Sequence, residues 1–401
     1  MTDHDVRVLD AHEHRAAVNL VRHALHFPPV PEDDWPQVAP TYSEGRVWGA
    51  HAGDELVGTA ASWASRLAVP GGRELPLAAV IRVGVRPDHT RRGVLSALMR
   101  HQLAEFRERG EVLAALHASE PVIYGRYGYG PATRARTVSV RAGRDAIHPE
   151  ALSGRVSVVA PEDASDRVRA VYDRVGLVRP GMVARTDEWW TALYVRALAT
   201  GANLRTAVHV GADGEDGFVT WKPLPCDNPT RGVVLQVEDL HAATPAAAAA
   251  LWAFVLGIDL VKSVRAEGRP VDEPLEWLLT NPRLLSTEAV DDDLWVRLVD
   301  VPAALDARSW GEAEPVVVEV ADRVLPDNAG RYRVAPDGVR RTDAPADLEL
   351  DVAELGALYL GDVPPSVLAS AGRIAVRDAA ALARADRLFA VGGSPWCGSF
   401  F

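Results

Sequence analysis

At 401 residues, with 48% apolar and 24% charged residues, the chain is too long for one ordinary core and too apolar for disorder, so a folded protein of two or three domains is expected. A formal charge of −12 argues against nucleic acid, which needs a basic footprint, and inclines the protein toward cationic partners. The two cysteines, Cys226 and Cys397, are far apart and form no metal-ligand spacing, so a reducing cytoplasm and no metal are expected.

The first residues, M-T-D-H-D-V-R, carry no charged-then-apolar leader pattern. A helix is predicted around Glu13 to His26, with His12 and His14 of H-E-H-R as its solvated start and no H-E-x-x-H spacing. After a loop with Pro28, Pro29 and Pro31, Val47 to Ala52 and Leu56 to Trp63 flank a Gly53-Asp54 turn, which predicts a hairpin. The branched apolar run Ala78 to Val85 reads as a strand. Pro87 and a polar turn then lead into a helix starting near Gly93, where Leu95, Leu98, Met99, Leu103 and Phe106 recur at three- and four-residue steps until Gly110 stops it.

The same order returns later. Leu204 to Val210 and Gly217 to Trp221 flank a second turn, followed by a strand at Gly232 to Val237 and a helix at Pro245 to Leu256. The turn before that helix reads L-H-A-A-T-P and has no arginine, so the second copy is expected to be scaffold. The apolar stretch Pro245 to Ile258 is too short to cross a bilayer of roughly 30 Å, and no membrane is expected. Asp291 to Asp293 read as a polar junction. Beyond it, Leu294 to Leu298, Pro315 to Val320, Gly330 to Val334 and Ala346 to Asp351 read as strands, and Val352 to Tyr359 and Ala379 to Leu388 as helices.

Chemistry is most legible in V-G-V-R-P-D-H-T-R-R-G-V-L-S. Arg91 and Arg92 sit where a helix begins, an unfavourable place for cations unless an anion binds there. Backbone amides of Arg91, Arg92, Gly93, Val94 and Leu95, together with the two guanidiniums, suit a diphosphate; a solvated arginine pair is the plainer reading. The pattern resembles the pyrophosphate loop of GCN5-related N-acetyltransferases, Gln/Arg-x-x-Gly-x-Gly/Ala after the fourth strand. Thr90 takes the Gln/Arg place, Gly93 the central glycine and Leu95 the final small residue, so Arg91 and Arg92 must supply the cation.

The run A-S-E-P-V-I-Y-G-R-Y-G-Y-G, with a chain ending in S-P-W-C-G-S-F-F, resembles the Eis (enhanced intracellular survival) family over the whole length. That resemblance implies α/β and α+β architecture: tandem GNAT-type acetyltransferase domains followed by a sterol-carrier-like α+β domain. The expected divisions are 1–145, catalytic; 146–290, degenerate; and 291–401, supplying the terminal carboxylate. It implies acetyl transfer from acetyl-CoA to primary amines of multi-amine small molecules such as aminoglycosides, by a homohexamer. By motif, Tyr124 becomes the general acid, with Tyr127 and Tyr129 competing for the role, and the carboxylate of Phe401 becomes the general base. Val83, Gly84 and Val85 would pair with the pantetheine arm, and Ser119 would contact the acetyl or pantetheine portion.

The apolar chain end predicts that Phe400 and Phe401 dock in a groove. His26, Phe27, Trp35 and Trp63, with Phe400, are candidate substrate walls, since aromatic faces suit sugar rings and ammonium groups, although such residues more often form core. Glu32, Asp33 and Asp34 or the Asp291 to Asp293 cluster could attract a polycation, whereas Phe400 and Arg82 work against an anionic pocket. Cys397 reads as a small buried hydrophobe. Rival functions are an acyltransferase for polyamines or protein lysines and a non-catalytic acyl-CoA or lipid-binding scaffold.

Overall fold

The computed structural model describes residues 4–199, 203–225 and 232–401; Cys226 lies outside them. The first stretch comprises β1 (Asp5–Val8), α1 (His14–Ala24), α2 (Trp35–Val38), β2 (Val47–Ala52), β3 (Glu55–Ala68), β4 (Glu74–Val85), α3 (Val94–Glu108), β5 (Leu113–His117), α4 (Pro121–Tyr124) and β6 (Gly130–Pro131). Next come β7 (Arg134–Arg141), β8 (Arg155–Val159), α5 (Pro161–Val175), α6 (Asp187–Trp189), α7 (Arg196–Ala199), β9 (Arg205–Gly211), β10 (Gly214–Pro223), β11 (Val233–Ala242), α8 (Pro245–Leu256), β12 (Val261–Pro270), α9 (Leu275–Leu278) and β13 (Leu285–Asp292). The last stretch has β14 (Leu294–Leu298), α10 (Val301–Ala307), β15 (Val316–Ala321), β16 (Gly330–Ala335), β17 (Gly338–Arg341), β18 (Leu348–Asp351), α11 (Val352–Tyr359), α12 (Pro365–Ser370), β19 (Ala375–Val376) and α13 (Ala379–Phe389).

The predicted repeat is present as an order of elements. The first sheet runs β1-β2-β3-β4-β5-β14-β6 and the second β13-β7-β12-β11-β10-β9-β8. In each, one pair is parallel, β4 with β5 and β11 with β12, and the parallel crossover passes through a helix, α3 or α8. In each, the strand after the crossover pairs on its far side with an antiparallel strand from elsewhere in the sequence, β14 on β5 and β7 on β12.

That pairing decides how the chain divides. One compact unit holds residues 1–133, 179–192 and 293–401, and the other holds 134–178 and 193–292. The edges expected at 145/146 and 290/291 differ from these breaks, because the ladders of β7 and β13 carry residues 134–141 and 285–292 into the second unit. Asp291 and Asp292 are thus the paired end of β13 opposite Ala135 and Arg134, and the break between Asp292 and Asp293 falls within the triplet read as a junction.

Within the first unit, a third sheet of order β17-β16-β15-β18-β19 is covered by α11 and α13. α11 packs on β14 and β6 at backbone contact distance, since a Cβ on Gly130 would overlap the Ala353 carbonyl and one on Gly356 the Val296 carbonyl. Beneath lies a fully buried ion pair, Arg297 Nη2 to Asp322 Oδ2 at 2.6 Å. Asp322 also accepts hydrogen bonds from the Val324 and Leu325 amides and from Asn328 Nδ2, so the buried charge is well compensated. In the same unit His14 is buried, not solvated: its Nε2 lies 3.3 Å from the Leu9 carbonyl, and desolvation holds its pKa below the ordinary value.

Candidate active site

The β4–β5 ladder covers only Leu77–Ala79 opposite Leu113–Ala115. Beyond it the strands part, and Val83, Gly84 and Val85 form the free end of β4 on that side. Toward β3 the register shifts, so that Ile81 pairs with Ala61 and Gly84 with Thr59, leaving Arg82 and Val83 opposite Ala60 as a bulge. Arg82 takes the positive φ of 53° in the bulge. Its guanidinium donates to Thr41 O and Thr41 Oγ1, each at 2.7 Å, and stacks 4.1 Å from the Tyr42 ring centroid. The strand end therefore offers main-chain groups to an extended ligand.

Following β4, Arg91 has φ 62° and Gly93 φ 92°, so the chain turns twice through the left-handed region before α3 begins. Gly93 caps α3 without any side-chain hydrogen bond, and the first-turn amides have no internal cap. An open cleft of about 1140 Å³ lies at this helix start, lined by His4, Asp5, Val6, Arg91, Arg92, Gly93, Ser96, Ala97, Arg100 and His101. Arg91 and Arg92 are exposed in it, His4 Nε2 lies 3.0 Å from the Arg92 carbonyl, Leu95 is half-buried, and the Val94 side chain is buried beneath. Two arginines, a helix N-terminus and Arg100 farther along α3 together present positive charge to the cleft. Sequence reading missed Ser96, Arg100 and His101; the signal was their recurrence after Arg92 and Ala97 at four-residue steps on one helix face.

β5 ends at His117, and the turn after it carries the proposed acid. Tyr124 is buried at the end of α4, and Ser119 hydrogen-bonds its hydroxyl. Burial pushes the phenol up to about 12, outweighing the Ser119 bond, so the group remains a proton donor at neutral pH. The other two tyrosines differ. Tyr127 shares a hydrogen bond with Ser96 at 3.0 Å, and Tyr129 is wholly buried, its hydroxyl without a partner.

The chain end meets the same strand end. His117 Nε2 lies 3.1 Å from Ser399 O, its Nδ1 lies 3.3 Å from Asp293 Oδ1, and the rings of Phe400 and Phe401 approach it at 4.8 and 4.9 Å. Asp293 is itself oriented by the Thr133 hydroxyl at 3.0 Å. Phe401 packs against the core, but Phe400 is 68% exposed, which corrects the expectation that both rings dock; the groove holds the Phe400 carbonyl, which accepts from Trp189 Nε1 at 2.8 Å. Cys397 is buried, with its thiol pKa raised by desolvation and the Sγ–H donating to Ser399 O at 3.0 Å. His117, Asp293 and Trp189 had no local signal, because the partners named here lie 160 residues or more away in the chain.

The candidate walls differ in exposure. His26 and Phe27 follow α1 and are exposed, Phe27 beneath Arg22 at 5.7 Å. Trp35 is half-buried at the start of α2. Trp63 is buried and donates its indole N–H to Thr41 O at 2.9 Å, sharing that carbonyl with Arg82. The exposed Glu32 is paired with Arg15.

Residues 5–132 match a family model described as an acetyltransferase (GNAT) domain, residues 181–298 match a second acetyltransferase (GNAT) domain, and residues 301–398 match a sterol carrier protein domain. A Streptomyces avermitilis protein described as an uncharacterized N-acetyltransferase is 40% identical over 363 residues, 88% of each chain. The N-acetyltransferase Eis of Mycobacterium bovis is 36% identical over 371 residues, 89% of each chain. Among solved structures, Eis1 from Mycobacterium abscessus matches with a TM-score of 0.89 and 36% identity over the whole of both chains.

Proposed function

The chain belongs to the Eis family of GCN5-related N-acetyltransferases, and from that premise we propose direct acetyl transfer to primary amines of multi-amine small molecules, aminoglycosides among them, with Tyr124 as acid and the Phe401 carboxylate as base. The N-acetyltransferase activity and the use of acetyl-CoA come with the family. The roles of individual residues rest on one observation above all: the chain end and the Tyr124 turn both meet the end of β5, the tail at His117 and the tyrosine through Ser119.

In this reading the diphosphate of acetyl-CoA binds at Arg91, Arg92 and the start of α3, and the pantetheine arm lies along Val83 to Val85. The amine nitrogen attacks the thioester carbon, forming the C–N bond as the C–S bond breaks. The amine proton passes to the Phe401 carboxylate, and the Tyr124 proton goes to the departing sulfur, giving the N-acetyl amine and free CoA thiol. Support for a cationic substrate comes from the −12 charge and from aromatic surface at Phe27, Trp35 and Phe400. A hexamer in the cytoplasm completes the proposal, and light scattering would read its mass.

The test is CoA-thiol release across aminoglycosides, polyamines and lysine peptides, with the full chain beside one lacking Phe401. Turnover on aminoglycosides that vanishes without Phe401 is expected. Turnover on polyamines or lysine peptides alone overturns the substrate class, and CoA binding without turnover on any amine favours the scaffold.

A further inference from the structure

The chain end is held by more hydrogen bonds than apolar packing requires. Residues 179–189 run beside residues 394–400, and contacts advance along both segments in the same direction. Arg179 Nε donates to Ser394 O at 2.5 Å, and the Trp396 amide to Pro180 O at 2.9 Å. Farther along, Arg185 donates to Gly398 O at 2.9 Å and Ser399 Oγ at 3.0 Å, and Trp189 Nε1 to Phe400 O at 2.8 Å. The Arg185 guanidinium is buried and lies 4.0 Å from the Trp189 ring centroid, so each side chain braces the other. With His117 on Ser399 O, the carbonyls of Gly398, Ser399 and Phe400 each meet a side-chain donor.

We infer that Trp189, braced by Arg185, is a positioning residue that aims the terminal carboxylate of Phe401. This rests on the reading of that carboxylate as the base. Fixing the Phe400 carbonyl fixes the plane of the peptide bond joining Phe400 to Phe401. Only φ and ψ of Phe401 then remain, and its ring, 4.9 Å from His117 and packed on the core, restrains the first of them. Removing the Trp189 donor returns the freedom of the preceding residue and lets the carboxylate wander. Misplacement of a reacting group by about 1 Å costs on the order of 10²-fold in rate.

The experiment is a double-mutant cycle of Trp189→Phe and deletion of Phe401, read as kcat and KM on the most active amine found. Phenylalanine keeps an aromatic face for Arg185 and loses the N–H together with the bulk of one ring. Trp189→Phe should lower kcat by about 10- to 100-fold, leave the acetyl-CoA KM unchanged and have no further effect once Phe401 is gone. Losses that multiply in the double variant, or an unchanged kcat in Trp189→Phe alone while deletion of Phe401 lowers it, overturn the inference and leave the base reading intact. An unchanged kcat on deleting Phe401 overturns the base reading, and the inference falls with it. Should Trp189→Phe not fold, Arg185→Lys, which keeps the charge but loses the fork, carries the same expected split between kcat and KM.

Discussion

α3 and α8 occupy the same place in the two repeats, each following a strand and leading to its parallel neighbour, yet they begin differently. α8 starts at Thr244, whose hydroxyl accepts from the Ala247 amide at 3.1 Å, with Pro245 in the first turn where an N–H would otherwise be unpartnered. α3 starts at Gly93 with no side-chain cap, and Arg91, Arg92 and Arg100 flank a cleft there. The difference teaches that two copies of one element order can diverge within a single helix turn. A helix start that caps itself is stable alone; one that leaves its amides open beside cations is completed by an anion.

The largest effect that would break the comparison lies in the chemistry assigned to the first repeat alone. Tyr124→Phe keeps the buried ring and removes the proton, so kcat should fall by about 10²- to 10⁴-fold in thiol-release assays, with the fold unchanged by circular dichroism. Asp322→Ala leaves Arg297 buried without its partner inside the first unit. A loss of about 3–5 kcal/mol of stability is expected in denaturant titration.

Next come the helix starts themselves. Removing both cations, Arg91→Ala with Arg92→Ala, should raise the acetyl-CoA dissociation constant by about 10- to 100-fold in calorimetry, by loss of charge-assisted hydrogen bonds. Thr244→Ala should cost about 1 kcal/mol of stability and leave that dissociation constant unchanged. Weakened acetyl-CoA binding in Thr244→Ala would mean that the second repeat contributes to the cofactor after all.

A further effect, confined to alkaline pH, is on the pH dependence of stability. The Tyr124 phenol is raised to about 12 from an ordinary value near 10, so it titrates in neither the folded nor the unfolded state at neutral pH. Between about pH 10 and 12 the unfolded chain ionises first, and stability should decline over that window; Tyr124→Phe should abolish this share of the decline.

Much of the fold was legible. The helix at Pro245 to Leu256 and the strands flanking Gly53-Asp54 stand where periodicity and turn chemistry put them, and the cleft at the start of α3 was announced by Arg91 and Arg92. The site was legible where its parts lie within a few residues, as with Ser119 and Tyr124, whose contact the turn creates. His14 escaped because one polar residue at a helix start carries no sign of the Leu9 carbonyl and Tyr42 ring that bury it. The docking of Phe400 was misjudged because hydrophobicity speaks of the ring, whereas Trp189 holds the carbonyl.

By itself the sequence determined the element order, the duplication, the open helix start and the apolar chain end, because each is written in short-range spacing and in the residue types of one turn. Tertiary structure alone decided which strands complete each sheet, that Asp293 and His117 meet, and that residues 179–189 guide residues 394–400 to their place. Those contacts join positions more than 100 residues apart, where no periodicity reaches. They form only when the folded sheets bring the separate donors and acceptors within hydrogen-bonding distance.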